Sequence, residues 1–135
     1  MRMAFRLLVF LCVLCPTVAQ ERTTTYIARY LTEFPGPQAF MDQASGVLFY
    51  VESDGRHVAA ISHDGKLLWN RDPFKDAHLP FYRTQRPQIV YIGPVAEADR
   101  QAGRKQEKFV AISFNNSQFG LLNVAKGDFL FQGQD

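Results

Sequence analysis

The side chains with the widest chemical scope lie in one long connection, residues 72–86, with the sequence DPFKDAHLPFYRTQR. Its arginines suit a carboxylate or phosphate group, which a guanidinium binds through paired hydrogen bonds, and its aromatic rings could stack on a ligand. Long loops carried by rigid sheets are where binding residues concentrate. The loop therefore predicts a ligand-binding site formed by five side chains, Asp76, His78, Tyr82, Arg83 and Arg86.

A structural interpretation of this loop competes with the binding site and is the favoured one. In it, Phe74 and Phe81 cover an open sheet face, while the charged side chains of the loop are solvated. A binding site instead predicts a concave pocket that collects His78, Arg83 and Arg86.

The polar residues elsewhere show no catalytic spacing. The three histidines, His57, His63 and His78, form neither HxH nor HxxxH, so no metal site is predicted. His57 is instead expected opposite Glu52 as a surface pair. No serine lies in a Gly-x-Ser-x-Gly sequence, and no glycine-rich loop is present to hold a phosphate. The sequence thus favours a protein that is not an enzyme, with no catalytic residue, metal or cofactor.

The first nineteen residues have the three-part layout of a secretory signal peptide. Arg2 and Arg6 form a basic start, Leu7 to Leu14 is an unbroken apolar run, and Ala19 is the small residue before the predicted cleavage. The apolar run is shorter than the roughly 20 residues that a membrane-spanning helix needs. We expect an exported protein, periplasmic or secreted, that has no membrane attachment after cleavage.

Removal of residues 1–19 changes what the composition means. Two of the 15 Lys+Arg lie in the signal peptide, so the mature chain keeps 13, which equals its 13 Asp+Glu. The mature chain therefore has no net charge, and its charge gives no reason to expect binding to nucleic acid. Both cysteines leave as well, so a disulfide within the mature chain is excluded. The 116 residues that remain of 135 suffice for a single domain, residues 20–135, with its own core.

The strongest structural signal is the stretch Gly46 to Arg71, GVLFYVESDGRHVAAISHDGKLLWNR. Two Asp-Gly turns separate three short apolar runs, which predicts an antiparallel three-stranded meander. Two-residue loops at both turns place Phe49 opposite Ala60, and Ala60 opposite Trp69.

Both faces of this meander are largely apolar. One carries Val47, Phe49, Val51, Val58, Ala60, Leu67 and Trp69, and the other carries Leu48, Tyr50, Ala59, Ile61 and Leu68. A sheet with one solvated side would alternate apolar and polar residues, so we expect cover on both sides.

A second meander is predicted downstream from Lys108–Phe114, Gln118–Val124 and Asp128–Gln132, with Gln88–Gly93 as a strand before it. Residues 39–42 are consistent with one more short strand. Residues 26–34 fit a helix or a strand, and both alternatives stay open.

The two meanders can be aligned as a repeat, with units 46–92 and 108–132, in which Gly65 corresponds to Gly127 and Trp69 to Phe131. Residues 46–69 resemble one blade of a quinoprotein-type (PQQ-like) β-propeller, with Ser-Asp-Gly, a strand ending Ala-Ile, Asp-Gly-Lys and Leu-Leu-Trp. Residues 109–131 resemble it more faintly. The resemblance implies turns and packing only, because no quinone or metal ligand of that family has a counterpart here.

These observations predict an all-β fold of antiparallel meanders, seven to eight strands in a small β-sandwich or a propeller-like fragment. Two blades are too few for a closed propeller, whose rings need at least about four. We expect an exported, non-catalytic module that binds a protein or itself, with a second copy or a protein partner covering an apolar sheet face. The alternative is a small-ligand binder or hydrolase that uses the 72–86 loop.

Overall fold

The computed structural model describes residues 33–96 and 107–135, and it confirms the predicted all-β class. Eight strands form two four-stranded antiparallel sheets, with one short helix between them. The first sheet holds β1 (Gln38–Asp42), β2 (Val47–Val51), β3 (Val58–Ile61) and β4 (Leu67–Arg71), in that order. Helix α1 (Pro73–Asp76) follows, and the second sheet holds β5 (Ile89–Gly93), β6 (Phe109–Phe114), β7 (Gln118–Asn123) and β8 (Phe129–Gln134), again in chain order.

The register of the first sheet is the one that the Asp-Gly turns predict. Phe49 pairs with Ala60, and Ala60 pairs with Trp69. One detail differs, because the ladder between β3 and β4 shifts after Ala60 and Ile61 pairs with Leu67. This β-bulge places Leu67 beside Ile61 and leaves both Leu67 and Leu68 exposed, so the prediction that Leu67 shares a face with Phe49 and Trp69 was wrong.

The second sheet confirms the second meander and adds β5 to it. Val110 pairs with Leu122, and Leu122 with Phe129. Strand β5, which the sequence repeat groups with the first unit, pairs with β6 and so belongs to the second sheet. The β6–β7 turn has a positive φ (65°) at Ser117, and the β7–β8 turn has one (75°) at Gly127.

The two sheets pack face to face around one core. Val47, Phe49, Val51, Val58, Ala60 and Trp69 of the first sheet meet Ile89, Ile92, Val110, Ile112, Phe114 and Leu122 of the second. We call these two facing surfaces the inner faces, and the opposite surface of each sheet its outer face. The expected cover is therefore present on one side of the first meander, where it is supplied by the second sheet.

The connection between the sheets also contributes to the core. Asp72 caps helix α1 by accepting a hydrogen bond from the backbone N–H of Lys75 at 3.0 Å. The helix buries Phe74, whose ring stacks on Phe81 at 5.7 Å and meets Phe114 edge-on at the same distance. The loop thus lies on the core through Phe74, while Phe81 stays exposed.

Two sequence predictions fall on residues outside the described part of the chain. The signal peptide, residues 1–19, lies there entirely, as does most of the segment 26–34 that fits either helix or strand. Within the described residues, no helix has the length and apolar character needed to cross a membrane.

Candidate functional site: an apolar sheet surface

The outer face of the first sheet is an exposed apolar surface. Met41 pairs with Leu48, Leu48 with Ile61, and Ile61 with Leu67, so one row of apolar side chains crosses all four strands. Leu67 is 63% exposed and Met41 43% exposed at the two ends of this row. Exposed apolar residues that adjoin each other, rather than scatter singly, mark interaction surfaces.

Further apolar side chains extend this surface beyond the row. In the neighbouring row, Tyr50 pairs with Ala59 and is 39% exposed, and the bulge in β4 adds Leu68, which is 49% exposed. We call the side chains of both rows and the bulge the outer apolar surface: Met41, Leu48, Tyr50, Ala59, Ile61, Leu67 and Leu68.

A polar group borders this surface at the β2–β3 turn. Glu52 accepts a hydrogen bond from the side-chain amide of Asn70 at 2.6 Å, and the ring Nδ1 of His57 lies 2.5 Å from Asp54 Oδ2. Asp54 also accepts the backbone N–H groups of Arg56 and His57 at 2.8 and 3.1 Å, which closes the turn. The turn that carries the Asp-Gly signal is therefore held by its own aspartate.

Charge pairing in this turn shifts two pKa values. The hydrogen bond to Asp54 raises the pKa of His57, against partial burial, and the charges of Asp72 and Glu52 act in the same direction. Burial alone would raise the pKa of Asp54, but the hydrogen bonds from Arg56 and His57 outweigh it and lower that pKa. Both shifts favour the charged pair.

Glu52, Asp54 and His57 each offer a ligand atom, and these atoms lie within 4.8 Å of one another. Carboxylate and imidazole groups are ligands for divalent metals such as zinc. In this structure, however, these side chains are engaged with one another, with Asn70 and with the turn backbone. The cluster has a complete structural explanation. His57 does lie opposite Glu52 in the backbone, where the Glu52 N–H bonds to the His57 carbonyl, but the expected surface pair between their side chains was wrong, because His57 pairs with Asp54 and Glu52 with Asn70.

A second ion pair ties the same turn to the long connection. Arg56 donates to Asp72 through Nη2 at 2.7 Å and through Nε at 3.3 Å, and the Asp72 side chain is only 11% exposed. The Arg56 guanidinium also lies 5.1 Å from the centre of the Phe74 ring. One aspartate therefore caps α1 and holds the arginine over the helix.

The residues predicted to form a ligand site in the 72–86 loop are mostly on the surface. Asp76 ends helix α1 and is exposed, as are His78, Arg83 and Arg86. His78 and Arg83 have positive φ angles of 52° and 58°, uncommon for residues other than glycine. Whether these side chains bind a ligand stays a prediction.

Two of these five residues contact each other. The Arg83 guanidinium lies 5.0 Å from the centre of the Tyr82 ring, and the Tyr82 hydroxyl donates to the backbone oxygen of Asp135 at 3.2 Å. The backbone oxygen of Arg86 accepts from the Asn115 side chain at 3.2 Å. These contacts fasten the end of the loop to the second sheet and to Asp135.

Sequence reasoning missed a buried polar network that anchors the 72–86 loop to β7. Gln118 is fully buried, receives the Asn116 side-chain amide at 2.8 Å, and donates to the backbone oxygen of Pro80 and to Gln134, both at 3.3 Å. A glutamine in an apolar strand gives no sequence signal of this role, because the partners that tie it to the loop and to β8, Pro80 and Gln134, are distant along the chain.

Comparison with known proteins adds no relative on which function could be based. No protein-family model matches the chain, and no curated protein or solved structure is significantly similar to it.

Proposed function

We propose that this chain is an exported, non-catalytic β-domain that acts as an interaction module, binding either a protein partner or another copy of itself. The observation that carries the proposal is the outer apolar surface. Its residues Met41, Leu67 and Leu68 are 43, 63 and 49% exposed and lie on a sheet whose other face is packed. Burial of such side chains stabilises a complex by roughly 25 cal/mol per Å² of apolar surface.

The alternative function, a small-ligand binder or hydrolase based on the 72–86 loop, has one structural feature in its favour. The positive φ angles at His78 and Arg83 are the kind of backbone strain that occurs at functional sites. The same loop is fixed by Phe74 packing and by the Gln118 network, which account for its shape without a ligand. The interaction module is therefore the better supported function.

Site-specific photocrosslinking in the organism that makes the protein tests this function. A photoreactive amino acid replaces Leu68 on the outer apolar surface, and a second variant carries it at Lys75, an exposed position on α1, as the matched control. We expect covalent adducts from position 68 and none from position 75. Equal adduct yields at the two positions, or none at either, would contradict an interaction role for this surface.

A further inference from the structure

Each sheet has two edge strands, and three of these four edges carry features that discourage pairing with another chain. Strand β1 follows Pro37 and ends in Asp42, and β5 is followed by Pro94. Strand β4 is bulged and ends in Arg71. Prolines, charges and bulges protect edges in this way, whereas β8 has neither a charge nor a proline in its six residues. Strand β8 is therefore the edge most open to another strand.

The backbone groups on the open side of β8 belong to Phe129 and Phe131. The N–H of Asn123 bonds to the carbonyl of Asp128, so Asp128 faces β7. Backbone groups of successive residues in an antiparallel strand face opposite sides, so Leu130 also faces β7, while Phe129 and Phe131 face away from it. Within residues 33–96 and 107–135, no hydrogen bond reaches these outward groups. They are available to a further strand.

The side chains at this edge are apolar and exposed. Leu130 pairs with Leu121, next to the core residue Leu122, so its side chain lies on the outer face of the second sheet. Leu121 is 2% exposed and Leu130 is 52% exposed, so exposure begins at the edge itself. Phe131 lies on the opposite face of β8 and is 42% exposed. An added strand would cover side chains on both faces.

The three residues Phe129, Leu130 and Phe131 read the same in both chain directions. A strand that pairs antiparallel with its own copy benefits from this property, because a two-fold axis sets each residue opposite its symmetry-related position. An axis at Leu130 sets the two Leu130 residues opposite each other and each Phe129 opposite the other copy's Phe131. The phenylalanines then exchange their outward backbone hydrogen bonds, and the leucines form the non-hydrogen-bonded pair, in which side chains lie closest.

The neighbouring registers match less well. An axis at Phe131 sets Leu130 opposite Gln132, and an axis at Phe129 sets Leu130 opposite Asp128. The axis at Leu130 alone places an apolar residue opposite an apolar residue at all three positions. This self-complementarity identifies the strand that fits the edge as β8 of a second copy.

We propose that the chain forms a symmetric dimer in which β8 of one copy pairs antiparallel with β8 of a second copy, about a two-fold axis at Leu130. The second sheets of the two copies then join into one continuous sheet. The interface uses the same strand of both copies and is closed, so assembly stops at two chains. This inference goes beyond the proposed function, because it depends on β8 and leaves the outer apolar surface of each copy outside the interface.

Single-cysteine variants test the register. Both native cysteines lie in residues 1–19, so the exported chain, purified after signal cleavage, is expected to carry only the introduced thiol. Residues in a non-hydrogen-bonded pair have Cα atoms about 4.5 Å apart, within disulfide range, so mild oxidation should link Leu130→Cys into a covalent dimer. Gln132→Cys is the matched control on the same strand, because the proposed register separates its two copies by roughly 13 Å along the strand. Non-reducing electrophoresis should show little dimer for this control.

Charge substitutions at the axis test the dimer without a thiol. Sedimentation equilibrium should give the wild type, Gln85→Lys in the exposed loop and Leu68→Lys on the outer apolar surface the mass of two chains. Leu130→Lys and Leu130→Asp should each be monomeric, because like charges then lie directly opposite each other. An equimolar mixture of these two variants should restore the dimer, since opposite charges then meet. Circular dichroism should show both variants folded, because Leu130 is exposed.

A monomeric wild type, a dimeric Leu130→Lys, a mixture that stays monomeric, or equal crosslinking at positions 130 and 132 would each overturn the proposal. A dimer lost in Leu68→Lys but kept in Leu130→Lys would assign self-association to the outer apolar surface, against β8 pairing and in favour of the proposed function. A dimer that depends on Leu130, together with no photocrosslinks from position 68, would support β8 pairing and contradict the role of the outer apolar surface.

Discussion

The indole nitrogen of Trp69 donates a hydrogen bond to the carbonyl oxygen of Val124, 2.9 Å away on the opposite sheet. Trp69 lies on β4 and is only 9% exposed, and Val124 lies just beyond β7. The bond therefore joins an edge strand of the first sheet to a turn of the second. Hydrophobic packing between sheets is not directional. This hydrogen bond is directional, so it fixes the position of the first sheet relative to the second.

Replacement of Trp69 by phenylalanine is expected to destabilise the fold by about 2–4 kcal/mol, because it leaves the buried Val124 carbonyl without its donor and opens a cavity beside Phe49. Urea unfolding followed by circular dichroism measures the loss. The control is Gln85→Ala at an exposed loop position, expected to change stability by less than about 0.5 kcal/mol. Equal losses in the two variants would show that the indole bond does not stabilise the sheet pair.

Two glycines with similar backbone angles should respond differently to alanine. Gly127→Ala combines a positive φ with a Cβ 2.8 Å from the Trp69 ring and 2.7 Å from Arg71 Cγ, whereas Gly65→Ala meets only the backbone strain. That strain is worth roughly 1–2 kcal/mol, and displacement of the Trp69 ring adds to it. We expect Gly127→Ala to lose the larger stability in thermal melts of dilute protein. A larger loss for Gly65→Ala would contradict this packing of Trp69.

The strands and their register were predictable because the determining signals are local. Asp-Gly turns and alternating apolar residues select the pairs Phe49–Ala60 and Ala60–Trp69 without reference to the rest of the chain. The bulge that exposes Leu67 was missed because the β3–β4 loop has three residues rather than the two assumed: the N–H of Ser62 bonds to the carbonyl of Lys66, and the register shifts in β4 before Trp69 pairs with Ala60. Which face of each sheet packs inward was not predictable, because it depends on contacts between residues far apart along the chain.

The candidate surface was predictable in composition but not in exposure. The sequence shows that Leu48, Tyr50 and Ile61 share a face, yet which apolar face is packed depends on where the second sheet lies. The Gln118 network was not predictable at all, because its partners Pro80 and Gln134 are far away along the chain. The ligand site expected in the 72–86 loop stays a prediction.

Asp72 has two separable roles, and two substitutions distinguish them. Asp72→Asn keeps an oxygen that can cap α1 at the Lys75 N–H but removes the charge that pairs with Arg56. Asp72→Ala removes both. We expect losses of about 0.5–1 kcal/mol for asparagine and about 1–3 kcal/mol for alanine in urea unfolding. Combining each substitution with Arg56→Ala completes a double-mutant cycle, and an Asp72→Asn variant without coupling to Arg56 would show that the ion pair is energetically silent.

The pair formed by His57 and Asp54 predicts a pH-dependent contribution to stability. The hydrogen bond to Asp54 raises the pKa of His57 above its ordinary value of 6.5. Protonated His57 therefore favours the folded state. Its contribution is complete below pH 6.5 and is lost as the pH rises through the raised pKa of the folded protein. Because both side chains are 45% exposed, solvent screening should limit the contribution to less than about 1 kcal/mol.

NMR titration of the His57 ring measures this pKa directly. We expect a midpoint above 6.5 in the wild type and a lower one in Asp54→Asn, which retains the turn but not the charge. Urea unfolding of the wild type and of His57→Gln should show a stability difference that shrinks between about pH 5.5 and about pH 8.5. An unchanged midpoint in Asp54→Asn would mean that the carboxylate is not what holds the proton on His57, and that the ion pair at the border of the outer apolar surface does not form in solution.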